Sequence, residues 1–311
     1  NGFIADYDPT APIEVNYRQN FAGEPTGKSH PELLYNLKPS PNHGHDQSIV
    51  NGISRIGFMK GGGKALWKDE NIADSITSHA IDFIRRNHEE PFFMYLCTND
   101  IHVPRFPHPR FRGKTDMGHR GDAIVQFDWT IGEVMKTLKE LNIDKNTIII
   151  LTSDNGPVVD DGYDDEAVAR LGSHKPSGPL RGNKYSSFEG GTRVPFIVSW
   201  PHGINKAKDS EALVSQIDLF ASFAQMLNAR LPKGSCPDSR KHWDALVGKD
   251  SKGCEYVVEQ NLWNVLSIRT NDWKYIEPSN GASYMKLTDI ETGNSPLPQL
   301  YDMNHEGEKV N

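Results

Sequence analysis

Two stretches of the chain repeat apolar residues at helical spacing. The stretch "DENIADSITSHAIDFIRRNHEE", residues 69–90, has acidic residues in its first turn and one apolar stripe made of Ile72, Ile76, Ala80, Phe83 and Ile84. The second stretch, residues 122–141, carries a stripe made of Ile124, Phe127, Ile131, Val134, Leu138 and Leu141. An apolar stripe of this period predicts an amphipathic helix with one face against a core.

Each predicted helix leads into a short apolar run that is typical of a buried strand. The runs are "PFFMYLC" (91–97), where Cys97 is expected to be a buried, inert thiol, and "TIIILTS" (147–153). The strand "VPFIVSW" (194–200) and the helix "SQIDLFASFAQML" (215–227) form a third unit in strand-then-helix order. Alternation of this kind predicts an α/β fold with a doubly wound, mostly parallel sheet.

The pattern differs at both ends of the chain. Residues 1 to about 68 show no sustained period and are expected to form long irregular connections. After Pro232 come four short strand-like runs, "YVVEQN", "LSIRT", "WKYIEP" and "PQLYDM", with Asn271 and Asp272 as a turn. We therefore predict an α/β domain over residues 1–232 and a small antiparallel α+β subdomain over residues 233–311.

Charge and hydropathy exclude some classes of function. The 311 residues include 41 acidic and 34 basic side chains, the net charge is -7, and no basic block is present. Nucleic acid is therefore not an expected partner. No apolar run approaches the roughly 18 residues that span a bilayer. The three cysteines match no zinc spacing, and the sequence leaves open whether Cys236 and Cys254 are bridged.

Polar residues follow two of the predicted strands directly. Asn99, Asp100 and His102 come after the first strand, and Asp154 and Asn155 come after the second. In open α/β sheets, ligands bind outside the carboxyl ends of the strands. A carboxylate beside an amide suits Ca²⁺ or Mg²⁺ better than zinc, although the same residues also cap ordinary turns.

Cations cluster on the loop that precedes the third strand. The stretch "GPLRGNKYSSFEGGTRVPFIVSWP", residues 178–201, places Arg181, Lys184, Glu189 and Arg193 among glycines. Cations on a glycine-rich loop beside a metal site predict a pocket for a divalent oxyanion, either sulfate or phosphate. A solvated charged loop is the alternative.

From about residue 69 onward the chain resembles the type I sulfatases of the alkaline-phosphatase-like superfamily. The matching segments are "SDNG" after a strand, the block around Lys184, "PFFMYLCTNDIHVP" and "PQLYDMNHEGEKVN", in the family's order. The resemblance implies that Asp154 and Asn155 are calcium ligands and that Lys184 faces the sulfate. It also implies that His102 protonates the leaving oxygen. Overall, the chain resembles sulfatases of glycan-degrading bacteria. This resemblance implies an enzyme that acts in the periplasm or is secreted.

Long polar loops favour a sulfated carbohydrate over a small aryl sulfate as substrate. Residues predicted to contact the sugar are His43, His45, His174 and Arg181, with Asp160 and Asp161 as similar candidates. Two other functions remain open. One is a phosphoesterase or phosphonate hydrolase of the same superfamily, and the other is an inactive relative that binds sulfated glycans.

The chain departs from the family at the nucleophile. A formylglycine arises from C/S-x-P/A-S-R, whereas "CPDSR" (236–240) has its proline one position too early and lies downstream of Lys184. We therefore expect the N-terminal part of the enzyme, with the nucleophile and half of the calcium ligands, to be missing from this chain. The chain by itself is expected to be inactive and to need that segment as a partner.

Overall fold

The computed structural model describes residues 8–304 and Glu308. The chain divides into two compact units. The first unit contains the residues up to Ile143 together with Val159–His174, and the second contains Asp144–Val158 together with the residues from Lys175 onward. The predicted boundary after residue 232 falls inside the second unit, and a domain division there stays a prediction.

Two helices of the first unit pack against each other. Helix α1 spans Ile72–Asn87 and helix α2 spans Gly118–Glu140, so both predicted helices are confirmed. Their buried faces include polar residues that an apolar stripe does not reveal. The hydroxyls of Thr77 and Thr130 lie 3.1 Å apart and satisfy each other between the helices. No helix within residues 8–304 has both the length and the apolar character needed to cross a membrane.

Irregular chain dominates the N-terminal region, as predicted. Its strands are β1 (Glu14–Asn16), β2 (Ile49–Val50), β3 (Ile53–Ser54) and β4 (Phe58–Lys60). Strand β1 pairs with β4 and β2 pairs with β3, both antiparallel. A small core lies beneath these connections and is formed by Leu37, Ile53, Phe106 and Tyr163.

The predicted strand at residues 91–97 does not form within the described part of the chain. Residues 91–97 are not assigned to a strand, and alternate side chains are exposed, with Phe93 at 70% and Tyr95 at 79%. Cys97 is also exposed, so the prediction of a buried thiol is wrong. An apolar run favours extended chain but does not specify the neighbouring strand that would bury it.

The second unit begins with a pair of four-residue strands. Strand β5 spans Ile149–Thr152 and strand β6 spans Phe196–Ser199, with the short helix α3 (Glu189–Thr192) before β6. Both strands lie where the sequence predicts them. They pair antiparallel, with Ile149 opposite Ser199, because helix–strand alternation does not by itself set the direction of a given pair. Helices α4 (Leu219–Met226) and α5 (Trp243–Leu246) follow.

Antiparallel strands form the C-terminal part of the second unit, as predicted. The strands are β7 (Val257–Gln260), β8 (Leu266–Arg269), β9 (Trp273–Ile276), β10 (Tyr284–Met285), β11 (Ile290–Glu291) and β12 (Gln299–Asp302). Four of them form one sheet in the order β12-β9-β8-β7, and β10 pairs with β11. Phe188, which precedes α3, packs with Val265 and Ile276 in a buried cluster.

Candidate active site

The predicted metal-binding pair lies on the turn that directly follows β5. The Asp154 side chain is exposed and Asn155 is half-buried. The hydroxyl of Ser153 donates to the carbonyl of Asn155 at 3.0 Å, and the side-chain amide of Gln216 donates to the carbonyl of Ser153 at 2.6 Å. These bonds fix the turn while leaving the Asp154 carboxylate accessible. A carboxylate and an amide oxygen on an accessible, fixed turn fit a calcium ion.

Backbone hydrogen bonds join this turn to the Lys184 loop, residues 181–191. The amide of Gly156 donates to the carbonyl of Gly191 at 2.9 Å, and the amide of Lys184 donates to the carbonyl of Pro157 at 2.8 Å. The Lys184 ammonium lies 5.0 Å from the centre of the neighbouring Tyr185 ring. The structure therefore brings the predicted metal-binding pair and the predicted sulfate-binding lysine onto adjoining segments.

Glycines make this close approach possible. A Cβ atom on Gly156 would lie 1.9 Å from the carbonyl oxygen of Gly190, and one on Gly190 would lie 2.3 Å from the carbonyl oxygen of Gly182. Neither glycine has a positive φ. The requirement is therefore for space between two backbones and not for a left-handed conformation.

A buried network of one lysine and three glutamates contacts one end of the Lys184 loop. Lys274 is fully buried, and its ammonium lies 3.2 Å from Glu189, 3.0 Å from Glu259 and 3.3 Å from Glu308. Glu308 also accepts a hydrogen bond from the backbone amide of Glu189 at 2.6 Å. Glu189 begins α3, which forms one end of the loop. The network thus ties the loop to the C-terminal sheet.

The pKa values of Lys274 and Glu308 are both raised, for different reasons. Burial opposes the charged form of Lys274, but the carboxylates of Glu259, Glu308 and Glu189 outweigh it and raise the pKa of Lys274. Burial raises the pKa of Glu308 to about 7, against the opposing charge of Lys274. Glu308 therefore exchanges its proton near neutral pH while the lysine stays charged.

Arg181, predicted to contact the sugar, has several protein partners. Its Nε donates to Glu291 at 2.7 Å and its Nη1 donates to the carbonyl of Glu308 at 2.8 Å. Its guanidinium also stacks 3.9 Å from the centre of the Phe188 ring. These contacts support a role in holding the loop. Contact with a substrate stays a prediction.

In the first unit, the predicted histidine pair lies beside two acidic residues. His43 lies 3.9 Å from Asp160, whose carboxylate also accepts from the backbone amide of Gly162 at 3.0 Å. Burial lowers the pKa of His45, whereas the charge of Asp161 raises it. His45 is thus held as a neutral imidazole, which both donates and accepts hydrogen bonds as sugar hydroxyls require.

His102 belongs to the same unit and is exposed. Its backbone amide closes a turn onto Asn99 at 3.1 Å, and its Nδ1 lies 2.7 Å from the carbonyl of Val103. A carbonyl only accepts, so Nδ1 carries the hydrogen of this bond. Burial is the main cause of the lowered pKa of His45, and a smaller contribution from His102 indicates that the two side chains lie in the same region of the first unit.

One supporting residue of this region was missed by sequence reasoning. Arg105 is 1% exposed and pairs with Asp165 at 2.7 Å. It also donates to the carbonyls of Ile101 at 3.2 Å and Val159 at 2.9 Å. Arg105 therefore fastens the turn that carries His102 to the segment that carries Asp160 and Asp161. An arginine between loop residues gives no sequence signal of such burial.

His174 and the two cysteines Cys236 and Cys254 are the remaining residues singled out from the sequence. His174 is exposed in a turn in which its backbone amide donates to Leu171 at 3.2 Å, and its contact with a sugar stays a prediction. Cys236 and Cys254 are both free thiols, so the possible bridge between them does not form in this structure. The "CPDSR" segment instead caps α4, where the Ser239 hydroxyl accepts from the amide of Ala221 at 3.0 Å.

Comparison with known proteins identifies the family. The family model described as "Sulfatase" matches residues 14–229, so the chain belongs to the sulfatase family. The chain is 52% identical over its whole length to an N-acetylgalactosamine-6-O-sulfatase of Bacteroides thetaiotaomicron, and it covers 60% of that protein. It is 36% identical over 180 residues to the steryl-sulfatase of Rattus norvegicus, of which it covers 30%.

Solved structures agree with this assignment. A Bacteroides thetaiotaomicron structure titled for the metabolism of multiple glycosaminoglycans matches with a TM-score of 0.93 and 54% identity. That match covers 98% of this chain and 62% of the other. A sulfatase from Pseudoalteromonas sp. matches in fold, with a TM-score of 0.61, 22% identity, and 77% and 48% of the two chains covered. The fold class is therefore the predicted alkaline-phosphatase-like α/β fold.

Proposed function

We propose that this chain is part of an enzyme that hydrolyses sulfate esters of carbohydrates. The observation that carries the proposal is the pair of hydrogen bonds that holds the Asp154–Asn155 turn against the Lys184 loop. That arrangement brings the segment with the hard oxygen ligands next to the segment with the cation, which supports binding of a sulfate group. Because the chain spans about 60% of the Bacteroides relative, the activity belongs to a longer protein.

Asp154 and Asn155 supply two of the ligands of a calcium ion in this proposal. The ion supplies positive charge against the sulfate oxygens, and a formylglycine from a segment outside this chain supplies the nucleophile. Two ligands alone bind calcium weakly, since affinity rises with ligand number and charge. Metal analysis of the full-length enzyme tests this assignment. Calcium that is retained after Asp154→Ala would contradict it.

Lys184 and His102 have different roles. Lys184 is a compact point charge on a loop that backbone bonds hold in place, and it stabilises negative charge on the sulfate and bridging oxygens. His102 donates a proton from Nε2 to the leaving sugar oxygen, and a placed acid contributes about 10²–10⁴-fold. Its Nδ1 contact to Val103 supports this orientation.

Two substrates separate these roles. In the full-length enzyme, His102→Ala should reduce kcat/KM for a sugar sulfate far more than for nitrophenyl sulfate, whose alcohol leaves without a proton. Lys184→Ala should slow both substrates more evenly, by about 10²–10³-fold. Equal losses on both substrates in His102→Ala would remove the assignment of His102 as the acid.

The sugar is proposed from the named relative. An N-acetylgalactosamine 6-O-sulfate is the substrate that the 52% identical protein's name specifies. His43 and His45 beside Asp160 and Asp161 support contacts to sugar hydroxyls, because neutral imidazoles and carboxylates recognise such groups. Release of sulfate from the 6-O-sulfated sugar, compared with its 4-O-sulfated isomer and a 6-phosphate, tests both the position and the ester class. Faster turnover of the phosphate would favour a phosphoesterase.

The resemblance to glycan-degrading bacterial sulfatases leads us to propose that the enzyme acts in the periplasm or is secreted. Fractionation of cells that express the full-length protein checks this placement. Recovery of the enzyme only in the cytoplasmic fraction would contradict it.

A further inference from the structure

Three metal-binding side chains meet in the second unit, apart from the residues assigned above. They are Asp218, His242 and Cys254, and one ligand atom from each lies within 4.8 Å of the others. Asp218 and Cys254 are 3% and 1% exposed, and His242 is half-buried. The residues are far apart in sequence, so the cysteine spacing alone gives no indication of this cluster.

Backbone hydrogen bonds and the starts of three elements bring these residues together. Asp218 directly precedes α4, His242 directly precedes α5, and Cys254 precedes β7. The amide of Arg240 donates to Asp218 Oδ1 at 2.7 Å, and the amide of His242 donates to the Ser222 hydroxyl at 2.9 Å. The first of these bonds also orients the Asp218 carboxylate, as partners of metal ligands commonly do.

Two features of the side chains point to a ligand. The Nε2 atom of His242 is buried and has no hydrogen-bond partner among the described residues. A buried polar atom without a partner is unusual in a folded protein. The Cys254 thiol donates to Asp218 Oδ2 at 3.1 Å, so a thiol proton lies between two atoms that ligate metals.

We propose that Asp218, His242 and Cys254 bind one zinc ion. The thiol proton leaves to solvent, and the thiolate and the Asp218 carboxylate together balance the charge of Zn²⁺. Tetrahedral zinc forms bonds of about 2.0–2.3 Å, so its ligand atoms lie closer together than the 4.8 Å limit that includes these three atoms. The three side chains therefore move slightly towards each other when the ion binds.

The donor set selects zinc over calcium. Thiolate and imidazole are ligands of borderline and soft metals, whereas calcium takes oxygen atoms. Three protein ligands leave a fourth position for water. The ion links the starts of α4, α5 and β7, so it stabilises this part of the second unit. The calcium ligands proposed above are a separate set of residues.

Cobalt is the probe, because a thiolate bound to Co²⁺ absorbs in the near ultraviolet. The full-length enzyme is stripped of metal, kept reduced, reloaded with calcium and titrated with Co²⁺. We expect a thiolate-to-cobalt band that saturates at one equivalent and is displaced by Zn²⁺. The absence of this band in the wild-type protein would overturn the proposal.

Variants assign the ligands. Cys254→Ser should abolish the band, and His242→Gln should weaken zinc affinity by at least about 10–100-fold, because loss of a hydrogen-bond partner of a metal ligand already has that effect. Cys97→Ser is the matched control, since Cys97 is an exposed thiol in the other unit, and it should retain the band. Asp154→Ala should retain it too, which separates this site from the proposed calcium site. A band that persists in Cys254→Ser, or zinc affinity unchanged in His242→Gln, would refute the assignment even if one variant folds poorly.

Discussion

Replacing Gly156 with alanine tests whether the close approach of two backbones holds the candidate site together. The new Cβ would lie 1.9 Å from the carbonyl oxygen of Gly190, whereas real Cβ atoms essentially never come within 3.0 Å. The two segments must therefore separate by about 1 Å, and the 2.9 Å bond from Gly156 to Gly191 is lost.

The expected cost follows from those two effects. Overpacking against rigid backbone costs about 1–3 kcal/mol, and the lost hydrogen bond costs about 0.5–1.5 kcal/mol. We expect Gly156→Ala to lower the free energy of unfolding of the full-length enzyme by about 1.5–4.5 kcal/mol. Calcium affinity should fall as well, because the turn that carries Asp154 and Asn155 moves.

Denaturant unfolding with and without calcium measures both effects. The matched control is Gly132→Ala in α2, where nothing lies within 4 Å of the new Cβ. That change should stabilise the protein by up to about 1 kcal/mol, since alanine favours a helix interior over glycine. Stability and calcium affinity of Gly156→Ala that match the wild-type values would refute the reasoning.

Three further predictions concern the Lys184 loop and the residues that support it. Lys274→Met should lower the free energy of unfolding by about 3–5 kcal/mol, because it leaves buried carboxylates without their cation; a change below about 1 kcal/mol in denaturant unfolding would contradict this. Folding raises the pKa of Glu308 from 4.5 to about 7, so the folded state binds more protons in that window and its stability falls as pH rises through it. When unfolding free energies are measured across pH, the decrease with rising pH should be smaller in Glu308→Gln than in the wild type. An equal decrease in both proteins would be evidence against a raised pKa of Glu308. Arg181→Met and Glu291→Gln should each cost about 1 kcal/mol, since they break the same half-exposed pair. A loss of kcat/KM confined to Arg181→Met would instead support substrate contact.

The sequence by itself determined the family and the positions of most helices and strands. Periodicity located α1, α2 and the antiparallel strands β7, β8, β9 and β12, because an amphipathic pattern is a local property of consecutive residues. The "SDNG" turn and the Lys184 block gave the resemblance, because each is a short contiguous motif. Such patterns can be recognised in the sequence without knowing which residues contact each other in the folded protein.

Only the tertiary structure decided which segments meet. The antiparallel pairing of β5 with β6, and the exposure of Phe93 and Tyr95, depend on neighbours that no local pattern names. A charged residue in a sequence predicts an exposed side chain, yet Lys274 is buried among three carboxylates and Arg105 is buried against Asp165. The sequence does not show this, because a charge is buried only where partners compensate its desolvation. The apposition of the proposed metal-binding turn and the Lys184 loop depends on the close approach of Gly156 to Gly190, which is a property of the folded chain alone.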